Sequence, residues 1–557
     1  MSAAQRRGAG ALERVAQPSP GMTGGEGASA GDVAPAPAPH AAQASGGQPL
    51  SRRSRWLLVV GMAGVIGIGV VLKFWTRSDL WLDEALTVDI ARLPLAKIPA
   101  ALRRDGAPPL YYVLLHFWMG LFGTSNLAVR SLAGVCGCLT MPVGWAAARR
   151  VAGRFAAWAT VLLLATSPFA TYYDTEARMY AFVALLTGLG FLALARALER
   201  PSPWNLLGVA VCTGALLYTH YWALYLVGVT GLWLLFQAWR RPRPLKAPPG
   251  AAFAAMAVGS LSFVPWLPTF LFQARHTGTP WAVPANLTAI VHVVTSFAGG
   301  PSVAGRSLAL LYFGLGALAL FGAATDQWHV ELDLRTRPRA RALTFVTLGT
   351  LLVAVAGGYV SHSAFSTRYA SVVFLPIILL VALGFSSLAN PRVRNGVLAV
   401  AVVAGIAASI PNITTNRTQA GQVAATLAQL GRPGDIVAYC PDQLGPAVNR
   451  LLPAGRYRQI TFPRGTGPAF VDWVNYAAAS KAGNPAAFAA RLESMSAGVH
   501  QIWLVWAPGY LTFGNKCQQI EIDLLADRSL GAHEMFPPGK FYEPMELVRF
   551  LPLRPAA

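Results

Sequence analysis

Trp81-Leu82-Asp83-Glu84 is the stretch from which the rest of the chain is read. Two adjacent acids stand there, just after the first long apolar run, in a sequence of 557 residues that holds only 24 Asp and Glu. The preceding run, Trp56–Trp75, is long enough to cross a bilayer, which takes about 20 apolar residues. Arg52, Arg53 and Arg55 precede it and should hold its start on the cytoplasmic side. Asp83 and Glu84 are therefore expected on the far side.

The composition agrees with a membrane setting. The chain is 54% hydrophobic and 12% charged, with a mean hydropathy of +0.44. Soluble domains carry roughly 25% charged residues. The net charge of +21 comes from short basic clusters between apolar runs, as topology requires, so a nucleic-acid partner is not expected. The five cysteines show no CxxC pair and no His-rich metal spacing. Cys136, Cys138 and Cys212 lie in apolar runs and read as packing residues.

Outward from the acid pair, residues 1–50 are rich in Ala, Gly, Pro and Ser and read as a disordered cytoplasmic tail. Residues 76–108 form an outer loop whose middle reads as an amphipathic helix lying in the membrane interface. Beyond it, basic clusters and aromatic polar patches alternate. Spans near 179–196, 204–218, 223–239, 250–268, 306–323, 342–360, 368–388 and 395–411 join them, each obeying the charge rule. Three further runs, 109–123, 127–148 and 152–168, break the count, because three crossings would put Tyr172 on the wrong side. Either one run does not fully cross or two form one bent element. The run 109–123 is the shortest, below the roughly seventeen residues a span needs.

The expected fold is a polytopic α-helical membrane protein of about 11–13 spans over residues 51–411, followed by an α/β domain over 412–557. That domain shows helix-like 419–430, 442–452, 484–496 and 516–527, and strand-like 436–440, 459–462, 501–506 and 546–551. It follows an outward-facing span and should be extracytoplasmic. Cys440 ends a strand and Cys517 opens a helix. An oxidising compartment would allow a disulfide between them, and two buried free thiols are the alternative.

The polar residues assigned to the outer side form one set: Asp83, Glu84, Tyr172, Tyr173, Asp174, Glu176, Arg178, Tyr180, His220, Arg275, His276, His362, Arg368 and Tyr369. Transfer of a group from an anionic leaving group needs this mixture. Arginine forks phosphate, a carboxylate can take a proton from an acceptor hydroxyl, and aromatic rings stack on sugars. Asp83, Glu84 and Glu176 could also hold a divalent cation, Mg or Mn, through oxygen ligands. Singly, each has a plainer reading: a first-turn acid, an interfacial charge, a snorkelling arginine. A transporter or flippase for a lipid-linked sugar is the alternative, although the charges gather at span ends and no internal repeat is visible.

These motifs resemble the GT-C glycosyltransferases, in particular the family-39/83 group that includes protein mannosyltransferases and lipid A aminoarabinose transferases. Trp81-Leu82-Asp83-Glu84 is similar to the acidic motif of their first outer loop. Ala107-Pro108-Pro109-Leu110-Tyr111-Tyr112 is similar to their His-Pro-Pro-Leu-Tyr segment, with Ala107 where His or Lys is common. Tyr173-Asp174-Thr175-Glu176-Ala177-Arg178-Met179-Tyr180, Tyr218-Thr219-His220-Tyr221 and Thr367-Arg368-Tyr369 also match. The resemblance implies inverting sugar transfer from a polyprenyl-phosphate donor to an extracytoplasmic acceptor, at the inner membrane of a bacterium. It implies Asp83 as catalytic base or acceptor-positioning acid, with Glu84 supporting it or sharing a cation, and Arg178 and Arg368 toward the donor phosphate. Tyr111, Tyr173, Glu176, Tyr180, His220 and Tyr369 complete the expected substrate-binding set.

Overall fold

The computed structural model describes residues 52–242, 247–278, 285–360, 365–510, 512–536 and 541–553. The expected tail and His362 lie outside these residues. The chain is a multi-pass membrane protein. Among the described residues seven helices are long and apolar enough to cross a bilayer, and Trp56–Leu72, Leu110–Phe122, Pro203–Leu217 and Thr288–Phe297 are shorter apolar helices.

Helix α1 (Arg52–Leu72) leads into the first loop, which holds α2 (Leu82–Ala91) and α3 (Ile98–Asp105). Pro109 then opens α4 (Leu110–Phe122), a 13-residue helix. Its first turn meets the loop through Tyr112 and Asp105 (3.0 Å). Just past its end, Asn126 bonds Asp79 of the same loop (3.1 Å). Both ends of α4 thus stay on the loop side, and α4 does not carry the chain across.

The two runs that follow are one bent element. Helix α5 spans Asn126–Thr166, 41 residues, and reverses at Gly153, whose φ of 84° and ψ of −166° are not helical. A side chain is strained at that φ, so glycine makes the sharp turn possible. Arg149, Arg150 and Arg154 are exposed there. The second half returns to Ser167, whose hydroxyl accepts from the Ala170 N–H and starts α6 (Pro168–Asp174). Tyr172 therefore comes back to the side of Asp83, and the crossing count closes.

Helices α7 (Tyr180–Glu199), α8 (Pro203–Thr219), α9 (Ala223–Arg240), α10 (Ala247–Leu261), α11 (Leu267–His276), α12 (Thr288–Phe297), α13 (Val303–Phe321), α14 (Pro338–Val360), α15 (Phe374–Gly384) and α16 (Pro391–Thr414) follow. A short hairpin, β1 (Gly322–Ala324) with β2 (Val330–Leu332), joins α13 to α14. The charged composition of that connection gave no sign of strands. The basic clusters meet at one end of the bundle. Arg150 pairs with Glu199, Arg394 stacks on Phe155 at 4.0 Å, and Arg337 donates to Ser387 at 2.9 Å.

The C-terminal sheet runs β4-β3-β5-β7-β6. Strands β3 (Ile436–Cys440), β4 (Arg458–Thr461) and β5 (Ile502–Trp506) are parallel. β6 (Leu530–Met535) and β7 (Glu546–Phe550) add an antiparallel margin. The period-two alternation of strands puts Ile436, Ala438, Ile502 and Leu504 against α20 (Pro485–Ser496) and α21 (Lys516–Asp527). Val437, Tyr439 and Trp503 face α17 (Ala420–Leu430) and α18 (Gly445–Asn449). A further helix, α19 (Tyr476–Ala482), precedes α20. Cys440 and Cys517 form a disulfide, Cα–Cα 5.5 Å, fastening β3 to α21.

The first loop does not lie bare on a membrane surface as its amphipathic pattern suggested. Leu82, Glu84–Val88, Ile90 and Ala91 of α2 are buried, because α4 packs on one side and α18 of the C-terminal domain on another. Arg450, just after α18, also donates to the Thr124 carbonyl at the end of α4.

Candidate active site

The site grows from α2. Its first turn places Asp83 and Glu84 side by side, and they face different surroundings. Asp83 is 17% exposed; its Oδ2 accepts from Arg368 Nη1 at 2.9 Å and lies 3.9 Å from Arg178 Nη2. Glu84 is fully enclosed. Arg130 grips it with Nε to Oε1 (2.7 Å) and Nη2 to Oε2 (2.6 Å). The Ala177 N–H donates to Oε1 at 2.9 Å, and Arg417 stands 4.0 Å from Oε2. Burial alone would raise this carboxyl, but Arg130, Arg417 and the Ala177 N–H outweigh it and hold it below its ordinary value.

The loop between α6 and α7 supplies Glu176 and Arg178. Glu176 Oε1 accepts from Trp81 Nε1 at 3.0 Å, while Oε2 is buried with no partner among the described residues. Burial pushes this carboxyl up to about 7; Glu84 and Asp83 add to the rise, and Arg417 and Arg368 oppose it. Arg178 donates to Thr87 Oγ1 (2.9 Å) and Tyr112 OH (3.3 Å), and Tyr112 donates to Asp105. Beneath the loop, Asp174 pairs with Lys73 of the first apolar run in the interior. Gly137 makes room for that pair, since a Cβ there would fall 2.2 Å from the Asp174 carboxylate.

The far wall is aromatic. Tyr173 packs on Phe169, Tyr172 and Tyr180, with ring centroids 4.5–4.9 Å apart. His220 lies between Tyr180 (5.9 Å) and Tyr369 (5.5 Å). Its Nδ1 accepts from the Trp222 N–H. Burial, then the Arg178 and Arg368 charges, press this imidazole down to about 3, so it is neutral at pH 7. Arg368 sits 5.8 Å from the Trp81 ring and 5.6 Å from the Tyr369 ring.

The structure thus gathers Asp83, Glu84, Tyr111, Tyr173, Glu176, Arg178, Tyr180, His220, Arg368 and Tyr369 around one centre. Arg275 and His276 do not join it. His276 instead accepts, at its carbonyl, the Asn475 N–H of the C-terminal domain (2.7 Å). Sequence reading missed Lys73, Arg130, Arg417 and Glu543. A lone Arg130 or Lys73 in or beside an apolar run was a usable signal, since such a charge calls for a partner. Nothing local marked Arg417 or Glu543.

The three acids read as cation ligands do not converge on one point. Asp83 faces two guanidiniums, Glu84 is taken by Arg130, and Glu176 accepts from Trp81. Among the described residues no three acid, His or Cys side chains form a metal-sized group. The donors instead suit an anion. Arg178 Nε, Arg368 Nε, Tyr111 OH and Tyr180 OH are buried without a partner among the described residues. Groups of this kind cost free energy until a polyanion accepts from them.

Residues 106–268 match the profile of the dolichyl-phosphate-mannose-protein mannosyltransferase family. No curated protein matches the chain by sequence. The fold resembles ArnT from Cupriavidus metallidurans bound to undecaprenyl phosphate, with a TM-score of 0.55, 15% identity, and coverage of 88% of this chain and 98% of that one. It also resembles the same enzyme in the apo state, with a TM-score of 0.54, 14% identity, and coverage of 90% and 98%. The chain has the GT-C fold of membrane glycosyltransferases.

Proposed function

We propose that the chain transfers a sugar from a polyprenyl-phosphate-linked donor to an extracytoplasmic acceptor, a cell-envelope glycan, lipid or protein, with inversion at the anomeric carbon. The observation that carries this reading is Asp83 held between Arg368 and Arg178, with the unpaired donors of Arg178, Arg368, Tyr111 and Tyr180 close by. The family profile over 106–268 and the ArnT-like fold support it.

In the proposed step the acceptor hydroxyl gives its proton to Asp83 as its oxygen bonds to the anomeric carbon. The bond from that carbon to the phosphate oxygen breaks on the opposite face, and the electron pair leaves with the lipid phosphate. Arg178 and Arg368 stabilise the charge that develops there. Tyr173, Tyr180 and Tyr369 flank the sugar. Neutral His220 contributes shape and a hydrogen bond rather than charge. Glu84 acts through the scaffold: with Arg130 and the Ala177 N–H it locks α2 to α5 and to the Arg178 loop. An apolar groove of about 550 Å³ is lined by Pro109, Leu110 and Val113 together with residues of α8 and α10. It offers the lipid tail a path along α4 and α8.

The basic clusters gather at the end opposite the site, which supports a cytoplasmic face there and an extracytoplasmic site and C-terminal domain. The inner membrane of a bacterium fits that orientation. The transporter alternative gains nothing from the fold. The test is Asp83→Asn in membranes supplied with a radiolabelled polyprenyl-phosphate sugar. Loss of transfer with intact protein levels is expected; unchanged transfer would overturn the assignment.

A further inference from the structure

One short segment of the C-terminal domain, Tyr542–Met545, comes up against the site. Its backbone is stitched to the stretch after α16. The Tyr542 and Glu543 N–H groups both donate to the Arg417 carbonyl at 2.9 Å, and the Gln419 N–H donates to the Glu543 carbonyl at 3.2 Å. The Met545 N–H donates to the Gln419 side chain at 2.8 Å. Glu543 fastens the segment to α2 by accepting from the Leu82 N–H (3.2 Å) and from Thr418 Oγ1 (2.6 Å). Arg417, the hub of this stitching, also caps the Tyr172 and Thr175 carbonyls beneath the site.

This scaffolding fixes the Tyr542 ring edge-on to Trp81, centroids 5.0 Å apart, with Tyr172 at 6.5 Å. Trp81 in turn lies beside Arg368, which holds Asp83. Yet Tyr542 is 62% exposed, and its hydroxyl has no hydrogen-bond partner among the described residues. A ring that only packed against Trp81 would be covered. Here a rigid backbone holds an open aromatic face and a free hydroxyl one residue-layer from the reacting carboxylate. Aromatic faces of this kind bind the apolar faces of sugar rings.

We propose that Tyr542 is a contact for the acceptor, and that the acceptor part it binds is a carbohydrate ring. This rests on the glycosyl-transfer reading above. The donor enters along the spans and meets Arg178, Arg368 and Tyr111 from the membrane side. Tyr542 belongs to the domain after the last span and lies against Trp81, whose ring also faces Arg368. A sugar lying on the open face of Tyr542, next to buried Trp81, directs a hydroxyl toward Asp83.

The test uses the full chain in nanodiscs with labelled polyprenyl-phosphate donor and a fractionated envelope glycan as acceptor, both at varied concentration. Tyr542→Leu keeps apolar packing on Trp81 but removes the ring. It is expected to raise the acceptor KM by roughly five- to tenfold while the donor KM stays unchanged. Tyr542→Phe is expected to remain within about threefold of wild type, because the ring survives. The melting temperature of both variants should match wild type. An unchanged acceptor KM in Tyr542→Leu, or equal rises in both KM values, overturns the proposal. Asp83→Asn measured in the same preparation separates the two readings: transfer that needs Asp83 but ignores Tyr542 refutes only the acceptor contact. Transfer that ignores both refutes the function itself.

Discussion

Arg368 and Asp83, 285 residues apart in the chain, meet at 2.9 Å beside the Trp81 ring. The pair joins the first loop to the start of a late span; in the proposed function Asp83 is the base and Arg368 binds the donor phosphate. Asp83→Asn keeps the shape but loses the proton acceptor, and transfer should fall by about 10²–10⁴. Arg368→Lys keeps the charge but loses the planar fork, so the donor KM should rise at least about tenfold. Steady-state kinetics with labelled donor separates the two effects. If Arg368→Lys moved only the acceptor KM, the donor-side role of Arg368 would fail.

Glu84 and Arg130 make a different kind of pair, wholly buried and bidentate. Glu84→Gln removes one charge and leaves Arg130 enclosed without its partner. Breaking a buried pair in this way costs about 3–5 kcal/mol. Purified Glu84→Gln should therefore melt lower and accumulate less, while each folded molecule keeps most of its transfer rate. A variant that melts like wild type but has lost transfer would show instead that Glu84 takes part in the chemistry.

Much of this arrangement was legible because charge is scarce in the chain. In so apolar a sequence, Asp83, Glu176, Arg178 and Arg368 stand out at span ends, and one shared side was enough to group them. Strand β3 was legible for another reason: Ile436–Cys440 is a buried run bounded by Pro433-Gly434 and Pro441. Strand β6 was not legible, since Leu530–Met535 mixes Gly, His and Glu on an edge that only β7 defines. The amphipathic pattern of α2 was read as facing lipid because its second cover, α18, comes from residues some 350 positions later. Arg417 and Glu543 escaped for the same reason, their partners lying far along the chain.

Glu543 gives the docking of the C-terminal segment a pH dependence. Burial raises its carboxyl from the ordinary 4.5 to about 8, with Asp83 and Glu84 adding to the rise and Thr418 and the Leu82 N–H opposing it. Glu176, raised to about 7, has the same sign. In both, the folded chain holds a proton that the unfolded chain releases near 4.5. These two groups should therefore make stability fall as pH rises from about 4.5 to about 8, with His220 opposing them below about 6.5. Glu543→Gln cannot ionise and should flatten the upper part of that slope. Melting temperatures of the two proteins across pH 5 to 9 test this, and parallel slopes would exclude Glu543 as a source.

The Cys440–Cys517 bridge closes a loop of 77 residues. Constraining the unfolded chain over such a length contributes about 2–5 kcal/mol. Cys440→Ser with Cys517→Ser should lower the unfolding midpoint of the C-terminal sheet, followed by protease resistance of residues 436–550. Because Tyr542 and Glu543 reach the site from this domain, acceptor-dependent transfer should weaken before donor binding does. An equal loss of both would mean that the bridge supports the whole chain rather than the domain alone.

Four guanidiniums, those of Arg130, Arg178, Arg368 and Arg417, stand against the carboxylates Asp83 and Glu84. A divalent cation placed between those acids would displace or repel the arginines, and the displaced charges would sit in a site with little water to screen them. In the proposed function the arginines supply the positive charge that a leaving phosphate needs. Transfer should therefore persist after dialysis against EDTA, and added Mg or Mn should not raise it. A rate lost on chelation and restored by either ion would show that substrate binding rearranges Asp83, Glu84 and Glu176 into a cation site.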